Sequence, residues 1–573
     1  MPRRPASLGR GTVPLLTIAL VLLAALAVGV ALVRTVGLQY DEALFVNGAI
    51  DPDTSQFVTV RLGPVPIMLM DYIGALKAWV FAPVFAVFGV SLESIRLPMV
   101  LLFLATIAVA ARFLWSRTSP WFAALAAVLL ATEPAFTMMS RDDWGPVAIS
   151  GFLRVVLAVA IVAVAEGARR RWIAVAVVAT ALGLFNKLDF AIGALGVLLA
   201  ALVAFAPQWR VQVRRRPARF VVGAAGLIGA FAAAAVFIYL PTRGTLRSFD
   251  GTLLERIMQR LQLVWSTYRG SFVTEYQTER DPAVHSLGLP AAVAVVVLVA
   301  VVAVLARRRR APLPEAGAGA EVPVIGPGRL TGFFVGVTVA IFAALVAVGE
   351  VFGPHHVAAL WPFPWLATVT GVAFLVAVRR SARVPRLVAT TAVAVAGLLV
   401  VVVVGSQTAS SAAIARILLT TDERPSIWTF DSAPASAAVE ALGADSGPVI
   451  VTDWGIANQL IAYDDRDPEI RIVDRWSEAV TLTPSEFLAR VEATDGGPVD
   501  SFVLVYHHPA HQIMGGTTAA AYALITECRS RGGDNRTLYR GDDLVVRQVW
   551  CPPLSGAAPA SGPADSATEP TAS

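Results

Sequence analysis

The chain begins with the apolar run VPLLTIALVLLAALAVGVALV at residues 13–33, which is followed by Arg34 and then by Tyr40-Asp41-Glu42. A transmembrane helix needs roughly 20 consecutive apolar residues, and this run supplies them. Two adjacent carboxylates so soon after a span would lie in a loop at the membrane surface, where functional side chains concentrate. The stretch predicts a membrane-spanning helix that leads into an acidic functional motif.

Composition extends this pattern to most of the chain. The 573 residues are 56% hydrophobic and 15% charged, with a mean hydropathy of +0.66, which excludes a soluble globular protein. The runs long enough to span lie near 13–33, 95–111, 120–138, 146–165, 172–186, 188–206, 220–240, 287–306, 331–349, 357–378 and 387–405. We therefore expect a polytopic α-helical membrane protein with about eleven transmembrane helices.

The arginines indicate the orientation, because cytoplasmic loops carry an excess of positive charge. They cluster in alternate loops, at Arg3, Arg4 and Arg10, Arg112 and Arg117, 169–171, 214–216, 307–310, and Arg379, Arg380, Arg383 and Arg386. These loops and the N-terminus are predicted to be cytoplasmic, and the acidic motifs and the C-terminal part extracytoplasmic. The net charge of +5 then requires no nucleic-acid partner.

One apolar segment does not fit this alternation as a span. Tyr72 to Val90 could cross the membrane, but every later arginine-rich loop would then be translocated. Since the segment also contains Lys77 and Pro83, we expect a broken interfacial helix within a first outward loop, residues 34–94. A cleaved signal peptide at residues 1–33 is the alternative to the first span, although no clear cleavage site follows it.

The sequence changes character near residue 405, where hydropathy falls. We expect a membrane domain at 1–405, with a flexible cytoplasmic linker at 307–330, an extracytoplasmic α/β domain at 406–555 and a disordered tail at 556–573. The predicted strands of the α/β domain are 448–451, 470–473, 501–506 and 544–549, and its predicted helices are 455–463, 484–493 and 517–529. Strands that alternate with helices favour some parallel pairing.

Cys528 and Cys551 both fall in this small domain. An extracytoplasmic position permits a disulfide between them. Two unrelated free thiols remain the alternative, because sequence alone does not give their separation.

Acidic and basic residues recur in the predicted outward loops. Ser140-Arg141-Asp142-Asp143-Trp144 forms a second acidic motif, and Lys77 and Lys187 are the only lysines among 46 basic residues. Lysine offers a compact ammonium that can approach a phosphate from several directions. Chance retention of two lysines is the alternative.

These motifs, taken in order, resemble the GT-C superfamily of membrane glycosyltransferases. The nearest branch comprises the family 39-like enzymes, which include protein O-mannosyltransferases and the aminoarabinose transferases of lipid A. The resemblance rests on the outward Asp41-Glu42, on residues 89–98 (GVSLESIRLP), on Arg141-Asp142-Asp143, and on 143–146 (DWGP) and 355–364 (HHVAALWPFP), which suggest a bacterial subgroup. It covers roughly residues 13–400. No Lys-Pro-Pro follows the first acidic pair, a departure from the lipid A branch that argues against transfer of aminoarabinose itself.

The resemblance implies transfer of a sugar from a polyprenyl-phosphate donor to a hydroxyl of a protein, lipid or polysaccharide, with inversion, at the outer face of a bacterial inner membrane. It implies that Asp41 is the base and that Glu42 acts beside it. The candidate donor-phosphate ligands are Lys77, Lys187, Arg61, Arg141, His355 and His356. Glu42, Asp142 and Asp143 would shape the acceptor site, orient these cations or bind a divalent metal, Mg or Mn; no cofactor is otherwise implied.

Two features leave alternatives open. The outward loop 241–286, with Arg260, Trp265 and Tyr276, would serve as a lid or as an amphipathic helix on lipid headgroups. Trp144, Trp361 and Trp365 would serve as interfacial anchors or as sugar-stacking platforms.

Two other classes of function compete with the enzyme. A transporter or flippase for a lipid-linked glycan would use the carboxylates for ion coupling, yet such proteins usually place charges near mid-membrane in two related halves. A non-catalytic membrane scaffold would leave the outward acidic and basic residues unexplained.

Overall fold

The computed structural model describes residues 9–50, 58–168, 170–242, 251–278, 280–308, 325–348, 353–381, 384–420, 433–441, 447–463, 471–495, 499–512, 515–541 and 543–552. The chain divides into two compact units, Met1–Phe430 and Asp431–Ser573. We describe each unit by itself.

The first unit is almost entirely helical. Its helices are α1 (Gly9–Leu32), α2 (Tyr40–Ile50), α3 (Leu76–Phe88), α4 (Leu92–Arg117), α5 (Pro120–Ala131), α6 (Pro134–Asp142), α7 (Val147–Ala165), α8 (Arg171–Asn186), α9 (Phe190–Ala204), α10 (Ala206–Arg215), α11 (Pro217–Ala234), α12 (Leu240–Thr242), α13 (Leu253–Arg269), α14 (Ser271–Thr278), α15 (Gly288–Arg308), α16 (Pro327–Ala347), α17 (Pro354–Val357), α18 (Phe363–Arg379) and α19 (Arg386–Thr420). A π-helical turn, Ala235–Tyr239, joins α11 to α12, and a 3-10 turn, Ala358–Leu360, follows α17.

The helices confirm the polytopic prediction. Among the described residues, 8 helices are long and apolar enough to cross a membrane, or up to 10 if each of two bent pairs is one span. The remaining predicted span, near 172–186, is α8, which at 16 residues is shorter than the others. The chain is a multi-pass membrane protein.

Both bent pairs change direction at a proline in the first turn of the second helix, Pro134 in α6 and Pro207 in α10. α5 and α6 meet at 65°, and α9 and α10 meet at 85°. Proline cannot continue a helix hydrogen-bond ladder, but it is well suited to the first turn of a new helix. At the first bend, the Glu133 carboxylate accepts hydrogen bonds from the Ala135 and Phe136 amides, at 3.2 and 2.7 Å, and so caps α6. The bend directs α6 toward the acidic motif at its end.

The first outward loop differs from the prediction of a broken helix at 72–90. The helix there, α3, is continuous despite Pro83, and its 13 residues are too few to span a membrane. It is preceded by a small antiparallel sheet in the order β1 (Val60–Leu62), β2 (Val65–Met70), β3 (Ile73–Gly74). The apolar periodicity of such short strands cannot be told from that of a helix, and so the sheet was not predicted.

This sheet fixes the first loop to the turn between α8 and α9. Ile73 forms a β-bridge with Lys187, and the Leu188 amide donates to the Tyr72 carbonyl at 3.1 Å. Gly74 allows this approach, because a Cβ atom at that position would collide with the Phe185 carbonyl oxygen. The contact carries Lys187 toward the first acidic motif.

The predicted outward loop 241–286 contains two helices in its described part. α13 starts with a capping box between Thr252 and Glu255 and exposes Leu254, Met258, Leu261 and Trp265 along one side. That apolar face is typical of an amphipathic helix at a lipid surface. Arg260, on the opposite side, is buried and its Nε donates to the Leu345 carbonyl at 3.2 Å.

The second unit is an α/β layer with one mixed sheet. Its strands are β4 (Val449–Val451), β5 (Ile472–Asp474), β6 (Ser501–His507), β7 (Asp534–Arg540) and β8 (Leu544–Trp550), and its helices are α20 (Ala433–Glu440), α21 (Ile456–Tyr463), α22 (Trp476–Thr481), α23 (Pro484–Asp495) and α24 (Thr517–Ser530). The sheet order is β5-β4-β6-β8-β7. β4 pairs in parallel with β5 and β6, and β8 pairs antiparallel with β6 and β7. β7, whose sequence DNRTLYR is polar, was not predicted because it is an exposed edge strand that does not need apolar residues.

Several predicted boundaries lie elsewhere in the structure. α19 continues to Thr420 instead of ending near 405, since residues 406–420 keep enough aliphatic and alanine positions to extend the helix. The linker predicted at 307–330 is already helical from Pro327, and its residues 309–324 lie outside the described residues. The tail predicted at 556–573 also lies outside them.

The two cysteines of the second unit are bonded to each other. Cys528, on α24, is linked to Cys551, just after β8, with their Cα atoms 4.6 Å apart. Both are buried in the core of the unit, against residues such as Phe502 and Val549. The bridge therefore ties the last helix to the central part of the sheet.

Removing this bridge should destabilise the second unit. The cysteines are 23 residues apart in sequence, and closing a loop of that size is worth about 3 kcal/mol. We expect Cys528→Ser/Cys551→Ser to make residues 431–573 markedly more sensitive to limited proteolysis of the full chain in detergent, while the first unit keeps its resistance. Equal protease resistance of the two proteins would show that the bridge does not stabilise the unit.

Candidate active site

Charged and polar side chains from five helices and two loops gather at one end of the first unit. They come from α2, from the start of α3 and α4, from the junction of α6 and α7, from the turn after α8, and from α14. They form two neighbouring groups. The groups differ in how fully their charges are paired.

The first group is centred on Arg96, at the start of α4. Its guanidinium donates to the Glu42 carboxylate through Nε and Nη2, at 2.9 and 2.8 Å. It also donates to the carbonyls of Val33, Val36 and Gly37, at 2.6, 3.0 and 2.7 Å. Arg96 therefore fixes the turn between α1 and α2. The Glu42 carboxylate also accepts a hydrogen bond from the Gln39 backbone amide at 3.0 Å.

The same group includes the first two charges of the second acidic motif. Arg141 holds Asp142 with two hydrogen bonds, at 2.6 and 2.7 Å, and donates to the Leu32 carbonyl at 2.8 Å. Asp142 also accepts from the Gln277 side chain and lies 3.8 Å from Arg96. With two cations and two carboxylates, all buried, the group is balanced and closed.

This arrangement gives Glu42, Arg141 and Asp142 positioning roles in the structure. Their charges are directed at each other, and their side chains expose at most 2% of their surface. Buried ion pairs with this many hydrogen bonds hold elements in register. Glu42 pairs with Arg96 and Arg141 pairs with Asp142, both within the cluster.

The second group starts with Asp143, which has a left-handed backbone, with a φ of 45°. Its Oδ1 accepts from the Ala148 amide at 2.6 Å and so caps α7, and its Oδ2 lies 2.8 Å from Lys77 Nζ. Lys77 is fully buried and its ammonium lies over the ring of Phe45, 4.6 Å from the centroid. Lys77 and Asp143 thus anchor the α6–α7 junction to α3.

Asp41 lies between these anchored elements and Lys187. Its carboxylate accepts a hydrogen bond from the Gly145 amide, and the nearby charges that act on it are those of Lys187 and Lys77. Within the described part of the chain, Asp41 forms no ion pair at 4.0 Å or less. Unlike Glu42, it is partly exposed.

Burial and the neighbouring charges act in opposite directions on the pKa of Asp41, and likewise on the pKa of Lys187. Burial raises the pKa of Asp41, and Lys187 and Lys77 offset part of that rise. For Lys187, burial acts to lower the pKa, but the carboxylates of Asp189 and Asp41 outweigh it and the pKa is raised. The site therefore keeps Lys187 charged while it makes Asp41 a stronger base than an ordinary surface aspartate.

The backbone of Gly145 lies close to both the Asp41 carboxylate and the Lys187 ammonium. It has a φ of 61°, and a Cβ atom there would lie 3.3 Å from Lys187 Nζ and 3.5 Å from Asp41 Oδ2. Such a backbone is favourable for glycine alone. Gly145 therefore allows the amide to reach Asp41 and leaves the space between the carboxylate and the ammonium free.

Replacing Gly145 should impair the site more than it impairs the fold. We expect Gly145→Ala to lower activity at least tenfold, because the methyl group would intrude between Asp41 and Lys187. Gly63→Ala is the matched control, since Gly63 has a φ of 58° and no atom within 4 Å of its missing Cβ. Equal activity of the two variants would contradict this view of Gly145.

α14 covers one side of the site. Tyr276 packs on the buried ring of Trp144, with centroids 4.1 Å apart, and its hydroxyl is hydrogen-bonded to Gln39. Burial, and to a lesser extent Asp41, raises its pKa beyond the usual range. α14 thereby supports the lid interpretation of the loop, while the exposed face of α13 supports the lipid-surface interpretation.

The remaining predicted residues fall into two sets. His355 and His356, with ring centroids 4.1 Å apart, both interact electrostatically with Lys187 and so belong to the site. Arg61 is half-buried on β1 and, among the described residues, is not one of the charges that act on Asp41.

The three tryptophans are neither membrane anchors nor open stacking surfaces. Trp144, Trp361 and Trp365 are fully buried, and Trp361 stacks on Phe136 with centroids 3.6 Å apart. Trp361 also contacts Phe103 of α4, and Trp365 lies against Tyr268 of α13. The prediction of interfacial or sugar-stacking positions was wrong, because tryptophan close to a predicted membrane boundary need not face lipid.

The acidic residues do not form a metal site in the described part of the chain. No group of three or more His, Cys, Asp or Glu side chains there could hold a metal ion. Asp142 and Asp143 direct their oxygens to Arg141, Lys77 and the Ala148 amide. These residues do not fit the divalent ion that the sequence left open, and no step is assigned to one.

Sequence reasoning missed Arg96, Gly145 and Gln277 as parts of the site. Arg96 lay in a motif already noted for the family, and an arginine in the first turn of an apolar span was a usable signal. Nothing in the sequence indicated that Gln277 would contact Asp142, 135 residues away.

Comparison with known proteins supports the resemblance. Residues 74–239 match the family model described as dolichyl-phosphate-mannose-protein mannosyltransferase. The structure is similar to that of ArnT from Cupriavidus metallidurans in the apo state, with a TM-score of 0.55 and 14% identity over 93% of this chain and 97% of that chain. For the same protein bound to undecaprenyl phosphate, the TM-score is 0.53 and the identity 16%, with the same coverage. No curated protein sequence matches significantly.

These similarities confirm the GT-C fold. The shared 93% of the chain extends beyond residues 13–400, so that the likeness includes part of the second unit, which the sequence resemblance did not cover. The sequence match begins at residue 74 and therefore leaves Asp41 and Glu42 outside it.

Proposed function

We propose that this GT-C chain transfers a sugar from a polyprenyl-phosphate donor to a hydroxyl acceptor, with inversion, at the extracytoplasmic face of a bacterial inner membrane. The observation that carries the proposal is the position of Asp41. It is the partly exposed carboxylate in a cluster whose other central acids are engaged, and it lies next to the cation Lys187. A base and a phosphate-binding cation side by side are what this reaction needs.

Asp41 is the proposed base. In the inverting reaction, the acceptor oxygen attacks the anomeric carbon as the bond to the phosphate oxygen breaks, and the acceptor proton passes to the Asp41 carboxylate. The Gly145 amide orients that carboxylate by donating a hydrogen bond to it. Burial makes the proton transfer more favourable because it raises the pKa of Asp41.

Lys187 is the proposed ligand of the departing phosphate. Its ammonium lies 3.7 Å from Asp189 Oδ2, a looser contact than the 2.8 Å between Lys77 and Asp143. A phosphate oxygen could therefore reach Lys187 with less loss of existing bonding than at Lys77. Lys77 contributes its charge from a buried position, and His355 and His356 lie within electrostatic range of Lys187.

The pH dependence provides a test of these two roles. Activity should fall on acidification as Asp41 is protonated, at a pH above the ordinary range of aspartate because burial raises its pKa. Lys187→Gln removes a charge that lowers the pKa of Asp41, so the acidic limb of kcat/KM should move to higher pH. Arg61→Gln should leave the limb in place. A limb that stays unchanged in Lys187→Gln would contradict the coupling.

The domain organisation suggests how an acceptor is chosen. We place the transfer reaction in the first unit, Met1–Phe430, and assign acceptor selection to the second unit, Asp431–Ser573, as an extracytoplasmic α/β domain. The donor class is supported by the fold shared with ArnT, whose structure was obtained with undecaprenyl phosphate.

The proposal is distinguished from a flippase by reconstitution. Proteoliposomes containing the full chain are supplied with radiolabelled polyprenyl-phosphate sugars and a membrane extract as acceptor source. The proposal predicts acceptor-dependent formation of free polyprenyl phosphate. Movement of an intact labelled donor to the other leaflet without its cleavage would favour the flippase, and neither event with any donor would favour a scaffold.

A further inference from the structure

An arginine-rim groove lies at the end of the helix bundle opposite to the candidate site. Its walls come from the ends of α7 and α9, the start of α8, and from α10 and α11, and it encloses a cavity of about 360 Å³. A neighbouring cavity of about 440 Å³ shares Ile173, Val177 and Arg219 with it. The two cavities together form the arginine-rim groove, with Arg219 between them.

The groove lies one membrane thickness away from Asp41. α7 runs from next to the site, at Val147, to next to the groove, at Ala165, and its 19 residues are about 28 Å long. That length is close to the roughly 30 Å of a bilayer's hydrocarbon core. A lipid in the groove would therefore belong to the leaflet opposite to the proposed reaction, and the groove is separate from the donor site.

The lower walls of the groove are apolar. They are formed by side chains such as Ile161, Val177, Leu198 and Leu227. Trp209 and Phe220 stand near its rim, with ring centroids 6.4 Å apart, and the Trp209 indole donates to the Ala201 carbonyl at 2.8 Å. Aromatic residues at this level are typical of the boundary between acyl chains and headgroups.

The rim of the groove is cationic. Arg216 and Arg219 line the first cavity, Arg170 and Arg219 line the second, and Arg219 is acted on by the positive charges of the other two. No acidic residue is among the described residues that line either cavity. Glu166, which precedes the lining residue Gly167 in sequence, pairs instead with Arg117 at 2.6 Å.

An anion placed between these arginines would relieve their mutual repulsion. Phosphate oxygens suit arginine because the guanidinium can donate two parallel hydrogen bonds. The apolar walls directly below suit acyl chains, which a free phosphate would leave uncovered. Basic pockets between helices, with apolar walls, are the known form of anionic lipid sites.

We propose that the arginine-rim groove binds an anionic phospholipid of the leaflet opposite to the candidate site. The headgroup phosphate lies between Arg216 and Arg219, and the acyl chains lie along α8 and α11. The proposal does not depend on the function assigned to Asp41.

Native mass spectrometry of the purified full chain in detergent provides the test. We compare dioleoyl phosphatidylglycerol with dioleoyl phosphatidylcholine, which have the same acyl chains. Phosphatidylglycerol should bind at least tenfold more tightly, and Arg216→Gln/Arg219→Gln should remove roughly tenfold or more of that affinity. Ala224→Phe, which fills the groove without changing the charge, should weaken binding of phosphatidylglycerol too.

The matched control is Arg210→Gln/Arg214→Gln. It removes two exposed arginines of the preceding helix, α10, that do not line either cavity, and should retain the preference for phosphatidylglycerol. Equal binding of the two lipids to the wild type would overturn the proposal without reference to any variant. An equal loss in the control, unchanged binding in Ala224→Phe, or inorganic phosphate that displaces the lipid at similar concentration would overturn it as well.

Discussion

Asp41→Asn should lower the rate of sugar transfer by roughly 10²- to 10⁴-fold, which is the range that a positioned general base contributes. Asparagine has nearly the same shape but cannot take the acceptor proton at neutral pH. Its side chain can still accept the hydrogen bond that Gly145 donates to Asp41. The loss should therefore appear in kcat, with little change in donor affinity or in thermal stability in detergent.

The matched control for this variant is Asp71→Asn. Asp71 is an exposed carboxylate of the same outward loop, one residue before Tyr72, and it should tolerate the change. Full activity in Asp41→Asn would exclude Asp41 as the base. Similar losses in both variants would point to the net charge of the loop instead of a specific carboxylate.

Arg96→Met should cause the largest loss of stability of any single replacement at the site. Arg96 is fully buried, and its removal leaves Glu42 as a buried carboxylate without its partner. Breaking a buried pair in this way costs roughly 3 to 5 kcal/mol. Three backbone carbonyls of the turn between α1 and α2 would also lose their donor. The measurement is thermal or denaturant-induced unfolding of the purified chain in detergent.

A nearby surface pair provides the control for Arg96. Arg34 pairs with Glu93, which lies in the same turn of α4, but both side chains are well exposed, at 78% and 35%. Arg34→Gln should have no measurable effect on unfolding, since exposed pairs contribute little. If Arg96→Met and Arg34→Gln unfold alike, the buried network does not hold the first loop in place. Arg96→Met/Glu42→Gln should recover part of the loss, because no unpaired charge then remains buried.

Most of the membrane architecture follows from sequence because it depends on single-helix properties. The length and apolarity of runs such as 146–165 determine a span without reference to the rest of the chain. The bend at Pro134 was harder to predict from sequence, because a span with an internal proline can either kink or continue straight. The three-stranded sheet before α3 could not be predicted from sequence for a related reason. Its strands are stabilised by contacts with the turn at Lys187 and not by the hydrophobic pattern of their own residues.

The candidate site was predictable in its residue types but not in their division of roles. The acidic motifs and the two lysines are visible in the sequence, and the structure brings Asp41, Asp143, Lys77 and Lys187 together. Glu42 and Asp41 are adjacent, so that only the rotation of α2 decides which carboxylate turns toward Arg96. That rotation depends on tertiary contacts, such as those of Arg96 with Val33 and Gly37, which come from separate parts of the chain.

The most direct test of the central claim is release of polyprenyl phosphate in detergent solution, where no leaflets exist and transport cannot occur. The purified full chain is incubated with a panel of radiolabelled polyprenyl-phosphate sugars and membrane-derived acceptors. We predict acceptor-dependent release from at least one donor, with the anomeric configuration of the product inverted, and almost none with Asp41→Asn. Absence of release from every donor by a folded wild-type chain, or equal release by Asp41→Asn, would contradict the account.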